Sequence, residues 1–544
     1  MIAPLQSTAT STSIGAASSS KELLQQLQAH LDPSLLAAVI GRFDSYEYEL
    51  QHARLKNQVL EERLRLARIA KYGKASEKLG DLQLNLLELE PGVSSEEVQA
   101  ESERESLTGL SDEAESDTQP KAKRKHPGRQ TLPADLPRVE KIIACTSDEC
   151  VCDGCGKETW VIGYDVSEVL DVRPAEYFVL VTKREKRVCK SCEEQGVVSA
   201  ILPERIIDKS LVSDQVVINT VVAKYCDSLP IYRQSMILKR DTGLDISRST
   251  MDGWIMQVGE LLIPIAGVMR KELLAGNYIQ ADETPVGVQM HDKRGKNHQA
   301  YLWQYGSPGV STIFDFRMGR EREGPKQFLG QFNGILQTDG YTAYENNIGG
   351  PKMVHACCLA HARRKYVDAV KVDPKDQDSA NIVALMDELF AIDAKARANG
   401  MNPDDRHSLR QENAPALLAE LRKQILAAQR KVLPKSTAGK AARYTLALWN
   451  KLTIFLEYPV LELSNNLAEN SMRPIAIGRR NWIHLGSKEA GPKIAAIFSI
   501  VESCRRIGLP IREYLAAVLP GLGNRSIQSL DQLTPAAYAA NKAK

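Results

Sequence analysis

The sequence predicts a multidomain α/β protein, and three observations point that way. A helical stretch ending near Ala275 gives way at Asn277 to a series of β-prone segments. Ahead of it, cysteines recur as two matched Cys-x-x-Cys pairs, Cys152 with Cys155 and Cys189 with Cys192. Within and beyond it, Asp282, Asp339 and Glu469 each lie in a segment whose polar residues suit a bound metal ion. At 544 residues the chain also exceeds what one hydrophobic core organises.

The expected order begins with a disordered N-terminus (1–20), a helical, coiled-coil-like segment (21–90), a charged linker (91–137) and a zinc-binding module (138–205). A helix-turn-helix-like region (206–275), a strand-and-helix domain with a helical insertion (276–500, insertion at about 372–445) and a small C-terminal region (501–544) follow.

Composition excludes little but sets the class. The hydrophobic fraction of 43% and charged fraction of 25% are those of ordinary soluble protein. The longest apolar run, Leu261 to Met269, contains Pro264 and is about half the length a bilayer span needs, so no membrane class is expected. Met1 to Ser20 has neither a basic start nor a continuous apolar core, which argues against a secretory signal and for the cytoplasm. Ten cysteines in such a chain point to metal ligation before disulfides. The net charge of +2 balances 70 basic against 68 acidic side chains, so local patches matter more than the total.

Asp44 to Lys71 contains no Gly or Pro and reads as helix, with Tyr48, Leu55, Val59, Leu66 and Ile69 on alternating three- and four-residue steps. A dimerising seam and ordinary packing both fit. The linker runs from acidic to basic, ending in Lys121-Ala-Lys123-Arg124-Lys125. That cluster suits a phosphate-binding arm or a solvated tether. In the next module, four thiolates on two knuckles match a tetrahedral structural Zn²⁺ site, and β-prone Tyr177–Val181 and Lys186–Val188 lie between the pairs. Cys145 and Cys150 lie close by, and the Asp-Gly inside Cys152–Cys155 favours that pair as the tight knuckle. A redox Cys-x-x-Cys is the weaker alternative.

Leu229 to Arg240, a Gly243 turn and a second helix through Trp254 capped by Ser247 form a helix-turn-helix pattern. Arg248, Ser249 and Thr250 then fall in the first turn of the second helix, where base edges are read. A plain helical hairpin is the other reading.

Strands are expected at Tyr278–Val288, Ala300–Tyr305, Ser311–Phe316 and Gly334–Thr338, with a helix near Lys326–Phe332 before the fourth. Three adjacent strands, a helix and a fourth strand is the order of a ribonuclease-H-like domain. There, a carboxylate within the first strand lies beside one at the end of the fourth, and a later helix brings a third. Asp282, Asp339 and Glu469 occupy those places. Such a set suits two Mg²⁺ (or Mn²⁺) ions clamping the oxygens of a phosphoryl transfer. Taken singly, a strand end, an Asp-Gly turn and a helix cap explain each residue.

Asn466, Glu469 and Arg473 share a helical face, Pro474 is expected to kink or end that helix, and Arg479-Arg480-Asn481-Trp482 offers phosphate contact and base stacking. A solvated salt bridge and a core Trp explain the same residues one by one. Arg363 and Arg364 form another basic group beside His361, which suits leaving-group protonation or a structural role.

These residues resemble the insertion-sequence-66 family of bacterial DDE transposases. The resemblance runs through Tyr72-Gly-Lys-Ala-Ser-Glu-Lys-Leu79, the paired knuckles, Tyr225 to Arg233, Asp282-Glu-Thr-Pro285, Asp339-Gly-Tyr341, Ala360-His-Ala-Arg-Arg364, Asn465 to Gly486 and Gly508 to Leu515. Leu359 stands where the family usually has Trp, and Tyr72 where Phe is common. The resemblance implies a DDE triad of Asp282, Asp339 and Glu469, and zinc on Cys152, Cys155, Cys189 and Cys192. It also implies cleavage and strand transfer of DNA at terminal inverted repeats, a homodimer or higher synaptic complex on the nucleoid, and accessory proteins from the same element. A non-catalytic zinc and helix-turn-helix regulator, or a ribonuclease-H-like nuclease without strand transfer, are the alternatives.

Overall fold

The computed structural model describes residues 32–72, 177–183, 186–188, 197–199 and 201–542, apart from 291–294, 309, 346–347 and 483. The chain divides into two compact units, Met1–Leu107 with Pro203–Lys544, and Thr108–Leu202.

In the first unit, α1 (Pro33–Tyr72) is one continuous helix of 40 residues, opened by a proline whose missing N–H is harmless at the first turn. Its second half touches the body of the unit: Arg65 donates to the Val372 carbonyl, and Glu62 accepts from Thr437 N at 3.3 Å. Burial raises the Glu62 carboxyl's pKa there. Of the seam expected on this helix, Tyr48 is 71% exposed, and the side chains of Leu55, Val59, Leu66 and Ile69 lie outside the described residues. A second stripe, Tyr46, Leu50, Ala53, Asn57, Leu60 and Leu64, keeps heptad spacing and is exposed throughout.

The second unit contributes β1 (Lys186–Val188) paired antiparallel with β2 (Val197–Ser199). Tyr177–Val181, expected as a strand, is instead exposed and without a ladder partner among the described residues. Propensity alone does not make a strand when no neighbouring chain accepts its hydrogen bonds. The four paired cysteines, Cys145 and Cys150, the linker cluster at Lys123, Arg124 and Lys125, and the Tyr72–Leu79 motif beyond Tyr72 lie outside the described residues.

Next come α2 (Asp214–Tyr225), α3 (Ile231–Thr242) and α4 (Arg248–Ala275). Gly243 ends α3 in the left-handed conformation at φ +74, which a side chain would strain. The Ser247 hydroxyl then caps α4 by accepting from Thr250 N at 3.1 Å. α4 continues past Trp254 to Ala275, where the helical region expected from sequence also ends. Its buried stripe of Met251, Ile255, Val258, Leu262, Ile265, Met269 and Leu273 makes it a spine of the core rather than a short reading helix.

The sheet has the order β5-β4-β3-β6-β7, built from β3 (Tyr278–Val288), β4 (His298–Ser307), β5 (Ser311–Arg317), β6 (Ile335–Thr338) and β7 (Val354–Cys357). The first three strands are antiparallel neighbours, and β6 and β7 join in parallel after α5 (Glu323–Leu329). The four strands and the helix foreseen in the sequence are all present. β6 pairs with β3 only as far as Gln280, and the short β8 (His484–Leu485) pairs with β3 from Gly287 onward. Between them β3 is open on one side, which is where the sheet tolerates Pro285. The Pro285 carbonyl faces this gap and accepts from Arg479 at 2.6 Å, so its missing N–H costs no ladder bond.

After β7, α6 (Leu359–Val372) leads into the insertion: α7 (Gln377–Ala398), α8 (Pro403–Lys431), α9 (Thr437–Ala447) and α10 (Trp449–Thr453). α7 and α8 share a separate core around Ile382, Met386, Phe390, Leu421 and Ile425. Buried arginines then fix the return segment. Arg410 pairs with Asp393 and donates to Leu461 O at 2.8 Å, while Arg406 reaches Glu462 and Pro459 O at 3.0 Å each.

That segment enters α11 (Asn466–Trp482), which continues through Pro474 rather than ending there. Tertiary contacts outweigh the missing bond: Met472 and Ile475 are buried, and Arg506 donates to Leu467 O and Ser471 Oγ. α12 (Ala490–Arg506) covers the β5 edge, with Ser499 and Ser503 accepting from Phe314 N and Thr312 N at 2.8 and 3.0 Å. The boundary expected at residue 500 falls inside α12. α13 (Ile511–Val518) and α14 (Pro535–Lys542) close the chain on the same core.

Candidate active site

Asp282 lies on β3 just past the last residue paired with β6, and Asp339 directly follows the end of β6, so the parallel pairing brings the two aspartates together. Glu469 is in the first turn of α11, opposite the open side of β3. All three are half-buried. Burial, then the negative charges of Glu469, Glu283 and Asp339, push the Asp282 carboxyl well above the usual carboxylate range. Asp282 thus experiences both of its distant partners, although 57 and 187 positions separate them in the chain.

A buried polar network sets this register. Gln280 donates to Tyr278, Gln337 and Ser464 O at 2.9–3.1 Å, and Gln337 donates to Glu462 O at 2.7 Å. The bonds to Ser464 O and Glu462 O join β3 and β6 to the segment that leads into α11, and the Gln280–Gln337 bond joins the two strands. Leu359 N on Leu463 O at 2.9 Å and Asn465 N on Cys358 Sγ at 3.4 Å add α6 to it. Buried networks of this kind favour a single arrangement because each bond lost in a slipped register is costly.

Glu469 is held by α6. Arg364 donates to its Oε2 at 3.2 Å, and His361 Nε2 lies 3.5 Å from Oε1. Burial works against the charge, but His361 and Arg364 outweigh it and keep the Glu469 carboxyl below its ordinary pKa. Two carboxylates of one site are thereby pushed in opposite directions, the pattern in which functional groups take different protonation roles.

Sequence reasoning missed the group around Glu283. Arg320 donates to it at 2.5 and 2.9 Å, and Tyr344 donates at 2.9 Å. The Arg320 guanidinium lies 3.8 Å over the Tyr341 ring, tying the Asp282-Glu283 segment to the Asp339-Gly-Tyr341 turn. Gly340, at φ +84, makes that turn, and Tyr341 N donates to Asp339 at 2.8 Å. A second acidic residue beside Asp282 in a strand was the available signal for Glu283. Arg320 carried none.

The expected DNA contacts divide into two sets. Arg248, Ser249 and Thr250 are exposed on the first turn of α4, and Arg480 is exposed near the end of α11. Arg363 is instead committed to Asp387 at 2.5 and 3.1 Å with 13% of its side chain exposed, Arg364 to Glu469, and Arg479 to Thr284 and Pro285. Each of those three has a partner within the fold. Arg473 and Trp482 are half-buried, and Trp482 packs against the core.

Among the described residues, no three His, Cys, Asp or Glu side chains already form a metal cage. The donor set is nevertheless one of hard carboxylate oxygens whose mutual repulsion raises the proton affinity of Asp282, and that fits a divalent cation. No helix among the described residues is long and apolar enough to cross a membrane.

A helix-rich α/β protein in which carboxylates from three distant segments act on one another is the class these observations define. The chain belongs to the IS66 family of transposases: residues 209–493 match the family described as Transposase IS66 family. Residues 149–193 match the zinc-finger binding domain of transposase IS66, which supports zinc binding by this segment, and residues 59–140 match Transposase C of IS166 homeodomain. Among curated relatives, the uncharacterized protein y4jD of Sinorhizobium fredii (strain NBRC 101917 / NGR234) is 31% identical over 79% of this chain and 87% of its own. The uncharacterized proteins y4qI and y4hP of the same strain are 32% and 26% identical, over 73% and 84% of this chain and 75% and 84% of theirs.

Proposed function

We propose that this chain is an insertion-sequence DNA transposase whose sheet domain is ribonuclease-H-like. In this reading Asp282, Asp339 and Glu469 are the catalytic DDE triad. The observation that carries the reading is the parallel β3–β6 register, which sets Asp282 beside Asp339 at the open side of β3, where burial and the negative charges of Glu469, Glu283 and Asp339 raise the Asp282 pKa. A structural carboxylate is normally paired with a cation, whereas this one is surrounded by like charge.

The three carboxylates would hold two Mg²⁺ or Mn²⁺ ions, which when bound supply charge stabilisation at the scissile phosphate. The chain's own residues do the positioning. His361 and Arg364 keep Glu469 ionised and oriented, and Arg320 with Tyr344 orients Glu283 beside Asp282. In the first step a water oxygen bonds to phosphorus and the P–O3′ bond breaks, leaving a 3′-OH and a 5′-phosphate. In the second, that 3′ oxygen bonds to a target phosphorus and displaces the target's own 3′ oxygen.

Arg248, Ser249, Thr250 and Arg480 are the exposed candidates for contact with the element's terminal inverted repeats and target DNA. Arg473 and Trp482 lie on the same helix as Arg480, and Lys123, Arg124 and Lys125 supply a basic arm. Structural Zn²⁺ on Cys152, Cys155, Cys189 and Cys192 completes the assignment. Cutting two ends requires at least two copies, and the exposed heptad stripe of α1 suits a homodimer, with Asn57 as the polar register residue. The site of action is the nucleoid.

The test is Asp282→Asn on a duplex carrying the element's own terminal repeats in Mg²⁺ buffer. Binding persists and cleavage is lost; normal cleavage by the variant removes the triad.

A further inference from the structure

A cavity of about 510 Å³ opens where the helix-turn-helix-like region meets the sheet domain. Its walls come from α2 and α4 (Lys224, Asp252), the end of α11 (Trp482), β8 (His484) and the start of α12 (Lys493). Asp252 is on the same helix as the exposed Arg248–Thr250 turn. β8 in turn is paired to β3 at Gly287, five residues from Asp282. At about 3.3 Å per strand residue, that is roughly 17 Å from the carboxylate, or about five nucleotide steps at ~3.4 Å each. Arg479, bonded to Thr284 and Pro285, lies between the two places.

The contents of the cavity wall are specific. Trp482 offers an aromatic face, and its indole is fixed closely enough that a Cβ at Gly478 would sit 2.5 Å from its Nε1. His484 Nδ1 is buried without a hydrogen-bond partner. Lys224 keeps only 11% of its side chain exposed, 3.8 Å from Asp252, and burial lowers its pKa. Lys493 lies 2.8 Å from Glu260. Glu489 adds a second carboxylate to the wall. A half-buried indole, an unpaired ring nitrogen, carboxylate acceptors and two lysines that can exchange Asp252 and Glu260 for phosphate are groups a single nucleotide can use. The base stacks, its polar edge meets Asp252 or His484, and the lysines face phosphate. The volume lies within the range of small-ligand sites.

We propose that this cavity holds one nucleotide extruded from the DNA within about five positions of the cut, stacked on Trp482. This rests on the transposase reading and adds a base-accepting subsite to it. Extrusion costs least where a base is already unpaired, so a bulged duplex is the direct probe.

The experiment compares binding of the full-length protein, in Ca²⁺ buffer without cleavage, to a duplex with one bulged nucleotide and to the same duplex with an abasic bulge. The base-containing bulge binds about tenfold more tightly, and a 5-iodouracil bulge photocrosslinks to Trp482, identified by peptide mass. The Trp482→Ala variant abolishes the preference. Because Trp482 also packs against the core, His484→Ala serves as the second variant and weakens the preference while binding to fully paired duplex is unchanged. Equal affinity for both bulges, or a crosslink elsewhere, overturns the subsite and leaves the transposase reading standing. Absence of any duplex binding overturns both.

Discussion

Arg364 Nη2 on α6 donates to Glu469 Oε2 on α11 at 3.2 Å, joining two segments 105 positions apart. The contact is more than a brace, because burial alone would favour the protonated acid and Arg364, with His361, reverses that preference. Removing Arg364 therefore raises the Glu469 pKa. Arg364→Met should move the acid limb of the pH–cleavage profile to higher pH, and Arg364→Lys should restore part of the shift. An unmoved limb in the Met variant would assign Arg364 a packing role only.

Asp282 titrates in the opposite sense. Its folded-state pKa lies above the unfolded value, so its stabilising contribution is complete at low pH and is lost as pH rises through the folded pKa. At neutral pH without divalent ions this group lowers stability, because folding must either hold the charge against its neighbours or take up a proton. Asp282→Asn should thus be inactive yet raise Tm by about 2 °C or more in chelator. Mg²⁺ should raise Tm of the parent and not of the variant. Differential scanning calorimetry checks both, and a lower Tm for Asn in chelator counts against the charge-repulsion account.

His355 supplies an acid-sensitive element. Burial, and then Lys451, lower its pKa to about 3, and Nε2 lies 2.9 Å from Thr338 Oγ1 at the end of β6. A depressed histidine pKa gives stability that is full above the ordinary pKa of about 6.5 and is lost as pH falls toward 3. Urea unfolding between pH 6.5 and 4 should lose up to about 1.4 kcal/mol per pH unit from this group. His355→Asn should flatten that slope, and an unchanged slope would place the acid sensitivity elsewhere.

The buried Arg410–Asp393 pair is expected to be costly to break and inexpensive to replace. Both side chains are 1% exposed, and Arg410 also holds Leu461 O. Arg410→Met alone leaves Asp393 uncompensated and should cost about 3–5 kcal/mol. Adding Asp393→Leu should recover most of that stability in denaturant titration. Cleavage should recover less, since the Leu461 contact that positions the α11 approach stays absent.

Leu60 and Leu64 test the stripe on α1. They are 46% and 60% exposed in the single chain. Leu60→Lys with Leu64→Lys should convert a dimer into a monomer in analytical ultracentrifugation without lowering Tm of the sheet domain. A dimer that survives both substitutions places the interface elsewhere.

The strand order was legible because β-branched and aromatic residues cluster in these segments, whose strands are buried on both faces over most of their length, and Ser247 and Gly243 announced a cap and a turn for local reasons. The helical character of the chain as far as Ala275 was legible, but the role of α4 as one buried spine was not, because its packing against α12, where Leu262 and Ile265 are buried, is not a local signal. The same holds for Pro474, where local chemistry points to a helix end and packing by Arg506 and the core around Ile475 overrides it. The partners of Arg363 and Arg479, Asp387 and the Pro285 carbonyl, were not legible because a basic residue's partner cannot be read from its neighbours in sequence.

By itself the sequence determined the inventory: three carboxylates in the right elements, two cysteine pairs, and helices and strands in order. These follow from propensity, periodicity and spacing, all of which act over a few residues. Only the tertiary structure decided which groups meet. The parallel β3–β6 register sets Asp282 beside Asp339, and the insertion's buried arginines with the Gln280–Gln337 network return α11 to the open side of β3. His361 and Arg364 then set the charge of Glu469, because burial and Coulomb attraction depend on distance in space and not along the chain.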